Sequence, residues 1–394
     1  MAHPLTRHAT LLGNRRFTSF GIQKNQVHNN IICPKTVFLL IDHVSVIIFT
    51  KKTALMKTKG IILASALLLI GIFYACRNTS DQTSETTTDT PETTTKLVST
   101  PIFSADSAFH FVEKQVAFGP RVPGTAASAS CGKYLISKFK AYGCQVTEQK
   151  FTAVLYNGKT VASKNIIATY NPTAAKRILL AAHYDSRPYG DKDLSIKNKP
   201  IDGANDGASG VAVLLELARL ISADSLALGV DFILFDTEDW GPPQDYTAEV
   251  KHQYGGYCLG SEYWSNNLHV KGYSAFYGIL LDMVGAPNAL FRKDQLSMEA
   301  APSIASNVWD VAATLGFSNY FSSEQGGGIT DDHSPVNTIA KIPMIDIIDN
   351  RPTENLFFEH HHTLKDNLST IDRNTLRAVG QTLLQVLYNE SKIQ

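Results

Sequence analysis

The amino-acid sequence predicts an α/β fold, a single domain in which helices flank a doubly wound, mainly parallel central sheet. Continuous apolar runs of strand length carry this prediction, at residues 165–170, 177–185, 230–236, 276–284 and 342–348. Such runs are typical of strands that are buried on both faces. Helical patterns alternate with them, and this alternation favours a parallel sheet.

Three segments carry the helical patterns. Residues 210–221 (GVAVLLELARLI) follow a Gly-rich turn, and residues 303–316 end in glycine, a common helix stop. Residues 372–390 begin with aspartate and carry an apolar stripe.

In doubly wound sheets, ligands bind beyond the carboxyl ends of the strands. The residues that follow the strands are therefore the candidates for a functional site.

Charge and composition limit the classes of function. Lys plus Arg and Asp plus Glu both number 36 in 394 residues, so the formal net charge is zero. This balance argues against a nucleic-acid-binding surface and against a polybasic membrane patch. We therefore expect no nucleic acid as a partner.

The N-terminal hundred residues lack the pattern of a folded domain. Residues 56–76 (MKTKGIILASALLLIGIFYAC) have lysines near the start, a short apolar run and Cys76 at the end. The run would span roughly 22 Å as a helix, short of the ~30 Å hydrocarbon core of a bilayer. This pattern predicts a signal peptide, with a membrane-anchor helix as the alternative. If Met56 is the start of the protein, residues 1–55 are an upstream segment that is non-native or unstructured.

Cysteine directly after the predicted cleavage site resembles a bacterial lipoprotein signal, in which the new N-terminal cysteine is lipidated. This resemblance implies a periplasmic protein of the bacterial cell envelope that meets the membrane only through a lipid anchor on Cys76. Residues 77–100 are Thr-rich and predict a flexible linker, because they hold few large apolar side chains. The folded catalytic domain is predicted at residues 101–394.

Acidic residues and histidines follow the predicted strands. They are His183, Asp185, Asp206, Asp236, Glu238, Asp239, Asp282, Asp331, Asp332, His360, His361 and His362. Crowded carboxylates are costly unless they are paired or bind a cation. Histidines together with Asp and Glu are typical zinc ligands. The pattern therefore predicts a zinc site at one edge of the sheet.

Six motifs stand in an order that resembles the zinc-dependent aminopeptidases with paired metal sites. They are AAHYDS (181–186), GANDGASGVA (203–212), FDTEDW (235–240), LLDMVGAPN (280–288), TDDHSP (330–335) and HHTLKDN (361–367). Within that superfamily, HYDS, LLDMVGAPN, DDH and the long segment 241–264 more closely resemble the bacterial glutaminyl-peptide cyclotransferases, or glutaminyl cyclases. The resemblance covers roughly residues 105–390, and it implies a zinc aminopeptidase-like fold.

The resemblance implies that Asp206, Asp239 and His362 are the zinc ligands. Asp206 stands in a Gly-rich turn before a helix, where a helix cap is the alternative role. Many relatives have Glu at the position of Asp239, so the shorter side chain must bring its backbone closer to the metal. His362 directly precedes Thr363, as the metal ligand does in the family, but the run 360–362 leaves the register open.

The resemblance also assigns Glu238 as the general acid and base, with Asp282 and Asp332 sharing hydrogen bonds with it. A Glu beside a metal and other acids can have its pKa tuned toward neutrality. Neighbours at a turn after a strand can converge on one point, so Glu238 and Asp239 can serve one site. The alternative for Asp282 is a structural role in the turn at the end of its strand. The alternative for Asp332 is that its neighbour Asp331 bonds with Glu238 in its place.

Four further residues complete the candidate site. His183 and Asp185 match the H-x-D that carries a second metal ligand and its orienter in the aminopeptidases; cyclotransferases retain this His without a metal. Relatives often have Trp where this chain has His361. The candidates for the wall of a substrate pocket are therefore His361 and Trp240, although a core role is the favoured one for Trp240.

The resemblance implies a glutaminyl-peptide cyclotransferase. With one zinc ion, it would convert the N-terminal Gln of peptides or proteins to pyroglutamate and release ammonia. The alternative is an aminopeptidase with two zinc ions, in which Glu238 activates water to hydrolyse the first peptide bond. A third possibility is a metal-free binding domain on the same fold. It predicts that some metal-binding residues have been replaced, whereas the candidate zinc ligands are all present.

Overall fold

The computed structural model describes residues 97–193, 196–353 and 356–392. The helices are α1 (Ala105–Val116), α2 (Ala126–Ala141), α3 (Ala208–Ala223), α4 (Leu259–Asn266), α5 (Gln295–Ala300), α6 (Pro302–Thr314) and α7 (Arg373–Lys392). The strands are β1 (Gln145–Val154), β2 (Thr160–Tyr170), β3 (Arg177–His183), β4 (Gly229–Phe235), β5 (Tyr277–Asp282), β6 (Phe291–Lys293), β7 (Phe321–Gln325) and β8 (Met344–Ile348). Short helical turns occupy His333–Pro335, Val336–Ala340 and Leu368–Thr370.

The predicted upstream segment, the signal peptide with Cys76 and residues 77–96 of the predicted linker lie outside the described residues. Among the residues that the structure does describe, no helix is both long enough and apolar enough to cross a membrane. These residues belong to one compact unit. The predicted single-domain α/β fold is confirmed.

Six strands form the central sheet in the order β1-β2-β4-β3-β5-β8. The pairs β3–β4, β3–β5 and β5–β8 are parallel, as the continuous apolar runs predict. The pairs β1–β2 and β2–β4 are antiparallel. Residues 165–170 therefore belong to an antiparallel strand, because β2 is the return arm of a hairpin with the edge strand β1. Strand β1 escapes the apolar-run criterion because most of its side chains are exposed or half-buried.

The sheet buries side chains on both faces. Leu180, Phe232 and Ile279 pack on one face in the same core as helices α1, α3 and α7. The alternate residues Ile233 and Leu280 pack on the other face, with Trp264 of helix α4. Successive strand residues point to opposite faces, so helices on both sides are needed to cover these strands.

Parallel strands bring their carboxyl ends to one edge of the sheet. His183 at the end of β3 pairs with Phe235 at the end of β4, and β5 ends at Asp282 on the other side of β3. The acidic segment after Phe235 therefore meets His183 and Asp282 at this edge. This is the edge at which the sequence predicts the site.

Candidate active site

A cavity of about 330 Å³ opens at the carboxyl edge of the parallel strands. The acids and histidines of its wall are Asp191, Asp206, Glu238, Asp239, Asp282, Asp331, His361 and His362. Met283, Ile329, Ile348 and Phe357 pack together as the apolar part of the wall. The cavity therefore combines a strongly acidic base with an apolar side.

Left-handed backbone conformations occur beside the candidate site residues. Thr237, Met283 and His362 have φ angles of 61°, 50° and 60°. This region is unfavourable for residues other than glycine, and especially for a β-branched threonine. The turn at Thr237 breaks the strand alternation, so that the neighbours Glu238 and Asp239 both line the cavity.

Asp185 holds this turn in place. Its Oδ1 accepts a hydrogen bond from the backbone N–H of Glu238 at 3.1 Å, and its Oδ2 accepts one from Asp239 at 3.2 Å. Its Oδ1 also lies 3.5 Å from Nδ1 of His183. Asp185 thus positions both of the acids that the sequence singles out, and it orients His183.

Asp206, Asp239 and His362 meet at the base of the cavity. Nε2 of His362 lies 3.1 Å from Oδ1 of Asp239 and 3.6 Å from Oδ2 of Asp206. Oδ2 of each aspartate is buried without a hydrogen-bond partner in the described part of the chain. Zinc binds such N and O atoms at ~2.0–2.2 Å, which places neighbouring ligand atoms roughly 3–3.5 Å apart. The donor set and its unpaired oxygens therefore fit a zinc ion.

His361 competes with His362 for the role of ligand. Asp206, His361 and His362 each offer an atom within 4.8 Å of the others, and Nε2 of His361 lies 3.7 Å from Oδ2 of Asp206. However, Nζ of Lys192 lies 2.6 Å from Nδ1 of His361. Because an ammonium can only donate, the proton of a neutral His361 ring sits on Nε2, the atom that faces Asp206. The geometry therefore favours His362 as the ligand.

Charged residues that the sequence reasoning missed support this donor set. Arg187 is fully buried and donates to Oδ1 of Asp239 at 3.2 Å and to both oxygens of Asp191 at 2.8 and 2.9 Å. Oδ1 of Asp191 lies 3.7 Å from Nδ1 of His362. Asp366 accepts the backbone N–H of Asp206 at 3.0 Å. Their positions beside AAHYDS and within HHTLKDN were the only signals in the sequence.

His183 bridges two aspartates. Its Nε2 lies 3.1 Å from Oδ1 of Asp206 and 3.1 Å from Oδ1 of Asp282. Burial works to lower the pKa of His183, but hydrogen bonds to Asp185, Asp206 and Asp282 raise it well above its usual range. His183, Asp206 and Asp282 form a second group that could hold a cation, and it shares Asp206 with the first. Asp282 was expected to bond with Glu238; its observed partner is His183.

Glu238 lies on the cavity wall beside the predicted zinc ligands. Its Oε2 is 3.9 Å from Nδ1 of His183, and Cys258 and Asp331 each offer an atom within 4.8 Å of its carboxylate. Burial raises the pKa of Glu238 well above its usual range; His183 opposes this shift, whereas Asp239 and Asp331 add to it. The carboxylate of Glu238 therefore binds a proton more readily than that of an exposed glutamate.

The predicted role of Asp332 is better matched by its neighbour. Asp332 is fully buried, does not line the cavity and accepts a hydrogen bond from the hydroxyl of Ser261. Asp331 lines the cavity and groups with Glu238. The order of these two acids along the chain does not reveal which one faces the cavity, because the local course of the backbone decides it.

The carboxyl groups of the site oppose one another electrostatically. Burial raises the pKa of Asp239 well above its usual range, with Asp206 adding to the shift, and it raises the pKa of Asp282 to about 8. Burial also works to raise the pKa of Asp206, but hydrogen bonding and charge from His183 lower it. A bound cation would relieve this repulsion, which is a further reason why the group suits a metal.

Trp240 does not take the pocket role for which it was a candidate; it has the core role that was favoured for it. Trp240 does not line the cavity and packs instead against Phe151, Ala153 and Leu259 in a separate apolar cluster. His361, the other candidate, does line the cavity.

Asp236 makes structural hydrogen bonds and does not line the cavity. Its Oδ2 accepts the backbone N–H of Lys164 at 2.8 Å, and its Oδ1 accepts that of Thr237 at 3.1 Å. The first bond joins the end of β4 to β2, and the second lies within the turn after β4.

The fold and the site define a zinc-exopeptidase-like enzyme. Residues 165–387 match the model of Peptidase family M28, and the chain belongs to this family. Within the zinc aminopeptidase superfamily, the predicted relationship to the bacterial glutaminyl cyclases is confirmed by the relatives that follow.

Two solved structures and one curated protein illustrate the relationship. A glutaminyl cyclase of Bacteroides thetaiotaomicron, bound to N-acetylhistamine, is 49% identical with a TM-score of 0.72, covering 74% of this chain and 99% of its own. A Zn-dependent exopeptidase of Parabacteroides distasonis is 48% identical with a TM-score of 0.72, covering 74% of this chain and 100% of its own. The glutaminyl-peptide cyclotransferase of Gloydius blomhoffii is 28% identical over 306 residues, 69% of this chain and 76% of its own.

Proposed function

We propose that this protein is a glutaminyl-peptide cyclotransferase that converts an N-terminal glutamine to pyroglutamate and releases ammonia. The observation that carries the proposal is the placement of Glu238 on the wall of one cavity beside Asp206, Asp239 and His362. The likeness to a bacterial glutaminyl cyclase at 49% identity supports cyclisation over hydrolysis.

The cavity suits a single amino-acid residue at a peptide N-terminus. Its acidic base attracts the α-amine, and the apolar side formed by Met283, Ile329 and Phe357 can contact the methylene groups of the glutamine side chain. Both reacting groups belong to the same residue, so holding that residue in a bent conformation contributes much of the rate. Peptide and protein N-termini are therefore the proposed substrates.

Asp206, Asp239 and His362 would hold one zinc ion, which when bound would polarise the side-chain amide carbonyl. Glu238 accepts a proton from the α-amine as its nitrogen forms a bond to the amide carbon. Glu238 then donates that proton to the departing nitrogen as the carbon–nitrogen bond of the amide breaks, which yields ammonia and the lactam. The raised pKa of Glu238 suits a group that carries the proton between these two steps.

Asp331 and His183 would together set the pKa of Glu238. Both lie close to its carboxylate, and they act on its pKa in opposite directions. Asp185 accepts hydrogen bonds from the backbone N–H groups of both Glu238 and Asp239. These bonds would keep the proton carrier, Glu238, in a fixed position relative to the proposed zinc ligand, Asp239.

An aminopeptidase with two zinc ions is the second candidate function. The group of His183, Asp206 and Asp282 favours it, because it offers a second metal position that shares Asp206 with the first. Hydrolysis would use the same Glu238 to take a proton from water.

Incubation of the purified protein with the dipeptide Gln-Ala separates these candidates. Ammonia release, with a product lighter than the dipeptide by one ammonia, is the expected result. Free glutamine in its place would establish the aminopeptidase and overturn the proposed function. The zinc content per chain, measured on the same preparation, is expected to be one ion.

We also propose that the mature protein begins at Cys76 and is held in the periplasm by a lipid on this cysteine. The support is the signal-like segment 56–76 and the Thr-rich tether that follows it. Incorporation of labelled palmitate into the full-length protein, and its loss in Cys76→Ala, is the expected result. Equal labelling of both proteins would refute the anchor.

A further inference from the structure

The cavity of the proposed active site carries one cationic side chain at its rim. Among the described residues that line this cavity, Lys192 is the only lysine or arginine, whereas six carboxylates line the remainder. Arg187 lies beneath the wall, fully buried and paired with Asp191 and Asp239, so it is out of reach of a ligand.

Contacts with the histidine segment hold Lys192 in place. Its backbone N–H donates to the carbonyl oxygen of His362 at 3.3 Å, and its Nζ lies 2.6 Å from Nδ1 of His361. The same Nζ lies 5.8 Å from the centre of the Phe357 ring. These partners are uncharged groups, and within the described part of the chain no carboxylate forms an ion pair with Lys192. Lys192 is exposed, so its charge is available to a ligand.

We propose that Lys192 selects peptide substrates whose second residue is acidic. This inference rests on the proposed function, because that function places the first residue of the substrate at the base of the cavity. Consecutive Cα atoms are ~3.8 Å apart, so the second residue lies at the level of the rim, and its side chain can reach a lysine there. Among the described residues of the cavity wall, Lys192 is the one cation and has no carboxylate partner, so a glutamate or aspartate at this position would meet opposite charge, whereas a lysine would meet like charge.

The size of the effect follows from the exposure of the pair. Ion pairs between exposed side chains change binding by an amount equivalent to about two- to five-fold in affinity. Salt screens such pairs, so the preference should decline as the ionic strength rises. A preference that depends on salt is a signature that a purely structural role of Lys192 would not produce.

Two amidated peptides provide the test. Gln-Glu-Ala-amide and Gln-Gln-Ala-amide differ in one charge at the second position and carry no free C-terminal carboxylate. The measurement is the ratio of their kcat/KM values for ammonia release, at low salt and at high salt. The proteins are the wild type, Lys192→Met, Lys192→Arg and the control Lys133→Met, which removes one exposed lysine from helix α2.

The wild type, Lys192→Arg and Lys133→Met are expected to prefer the glutamate peptide about two- to five-fold at low salt. Lys192→Met is expected to bring the ratio to about one. Ammonia release from both peptides at equal kcat/KM by the wild type, or an unchanged preference in Lys192→Met, would overturn the role of Lys192 while leaving cyclisation intact. Release of free glutamine would overturn the proposed function, and the same ratio measured on that product would still test Lys192. If neither product forms, both proposals fail.

Discussion

Nε2 of His362 lies 3.1 Å from Oδ1 of Asp239. The two residues come from distant parts of the chain, and a charged side chain contacts or lies close to each of them. Arg187 contacts Asp239, and Asp191 lies next to the other ring nitrogen of His362. Groups that hold the far side of a ligand orient it toward the metal and tune its affinity. The pair is therefore held in position as two of the three proposed zinc ligands, and four predictions test this site and the residues that support it.

Replacement of His362 by alanine should remove zinc, whereas replacement of His361 should not. Lys192 donates to Nδ1 of His361, which leaves the proton of that ring on Nε2. Zinc content after dialysis, measured by elemental analysis of both variants, is the test. His361→Ala serves as the control because the ring of His361 lies directly beside that of His362, with centroids 3.7 Å apart and planes inclined at 43°. If only His361→Ala loses zinc, the zinc ligand is His361 and not His362.

Glu238→Gln should lower kcat by about 10²–10⁴-fold, the usual contribution of a general acid–base group, with zinc still bound. The amide keeps the shape of the carboxylate but cannot carry a proton. Steady-state kinetics with a glutaminyl peptide and zinc analysis on the same sample provide the measurement. Loss of zinc in this variant would instead identify Glu238 as a ligand.

Arg187→Met should destabilise the fold by about 3–5 kcal/mol, because it leaves the buried carboxylates of Asp191 and Asp239 without their cation. The matched control is Arg373→Met, which breaks the exposed pair with Asp106 and should cost at most about 1 kcal/mol. Chemical denaturation of the zinc-free proteins gives both free energies of unfolding. Equal values for the two variants would contradict the structural role of Arg187.

Gly207→Ala should destabilise the protein more than Gly316→Ala does. Both glycines have positive φ, +95° and +83°, so each alanine carries a conformational cost of about 1–2 kcal/mol. A Cβ at Gly207 would also lie 2.6 Å from the carbonyl oxygen of Asp185, whereas nothing lies within 4 Å of one at Gly316. Denaturation midpoints of the two variants compare the costs. A similar loss in both would mean that the loop can shift away from Asp185.

Much of the site was predictable because strand ends are predictable. Apolar runs locate β3, β4, β5 and β8, and the topology of a parallel sheet then collects the residues after these strands at one edge. The antiparallel hairpin of β1 and β2 was not predicted, because a half-exposed edge strand lacks a continuous apolar run. The sequence left two roles open for Trp240 for a related reason: the alternation that would orient its side chain ends at the left-handed turn of Thr237.

The sequence by itself determined the α/β fold, the acidic edge of the sheet and the order of motifs that marks the family. These depend on local apolar periodicity and on residue type, which the chain carries independently of its contacts. Only the tertiary structure decided which of two adjacent residues faces the cavity, as for Asp331 over Asp332. It also brought Arg187 and Lys192 to the site. Such choices depend on backbone turns and on partners from distant segments, and no local pattern encodes them.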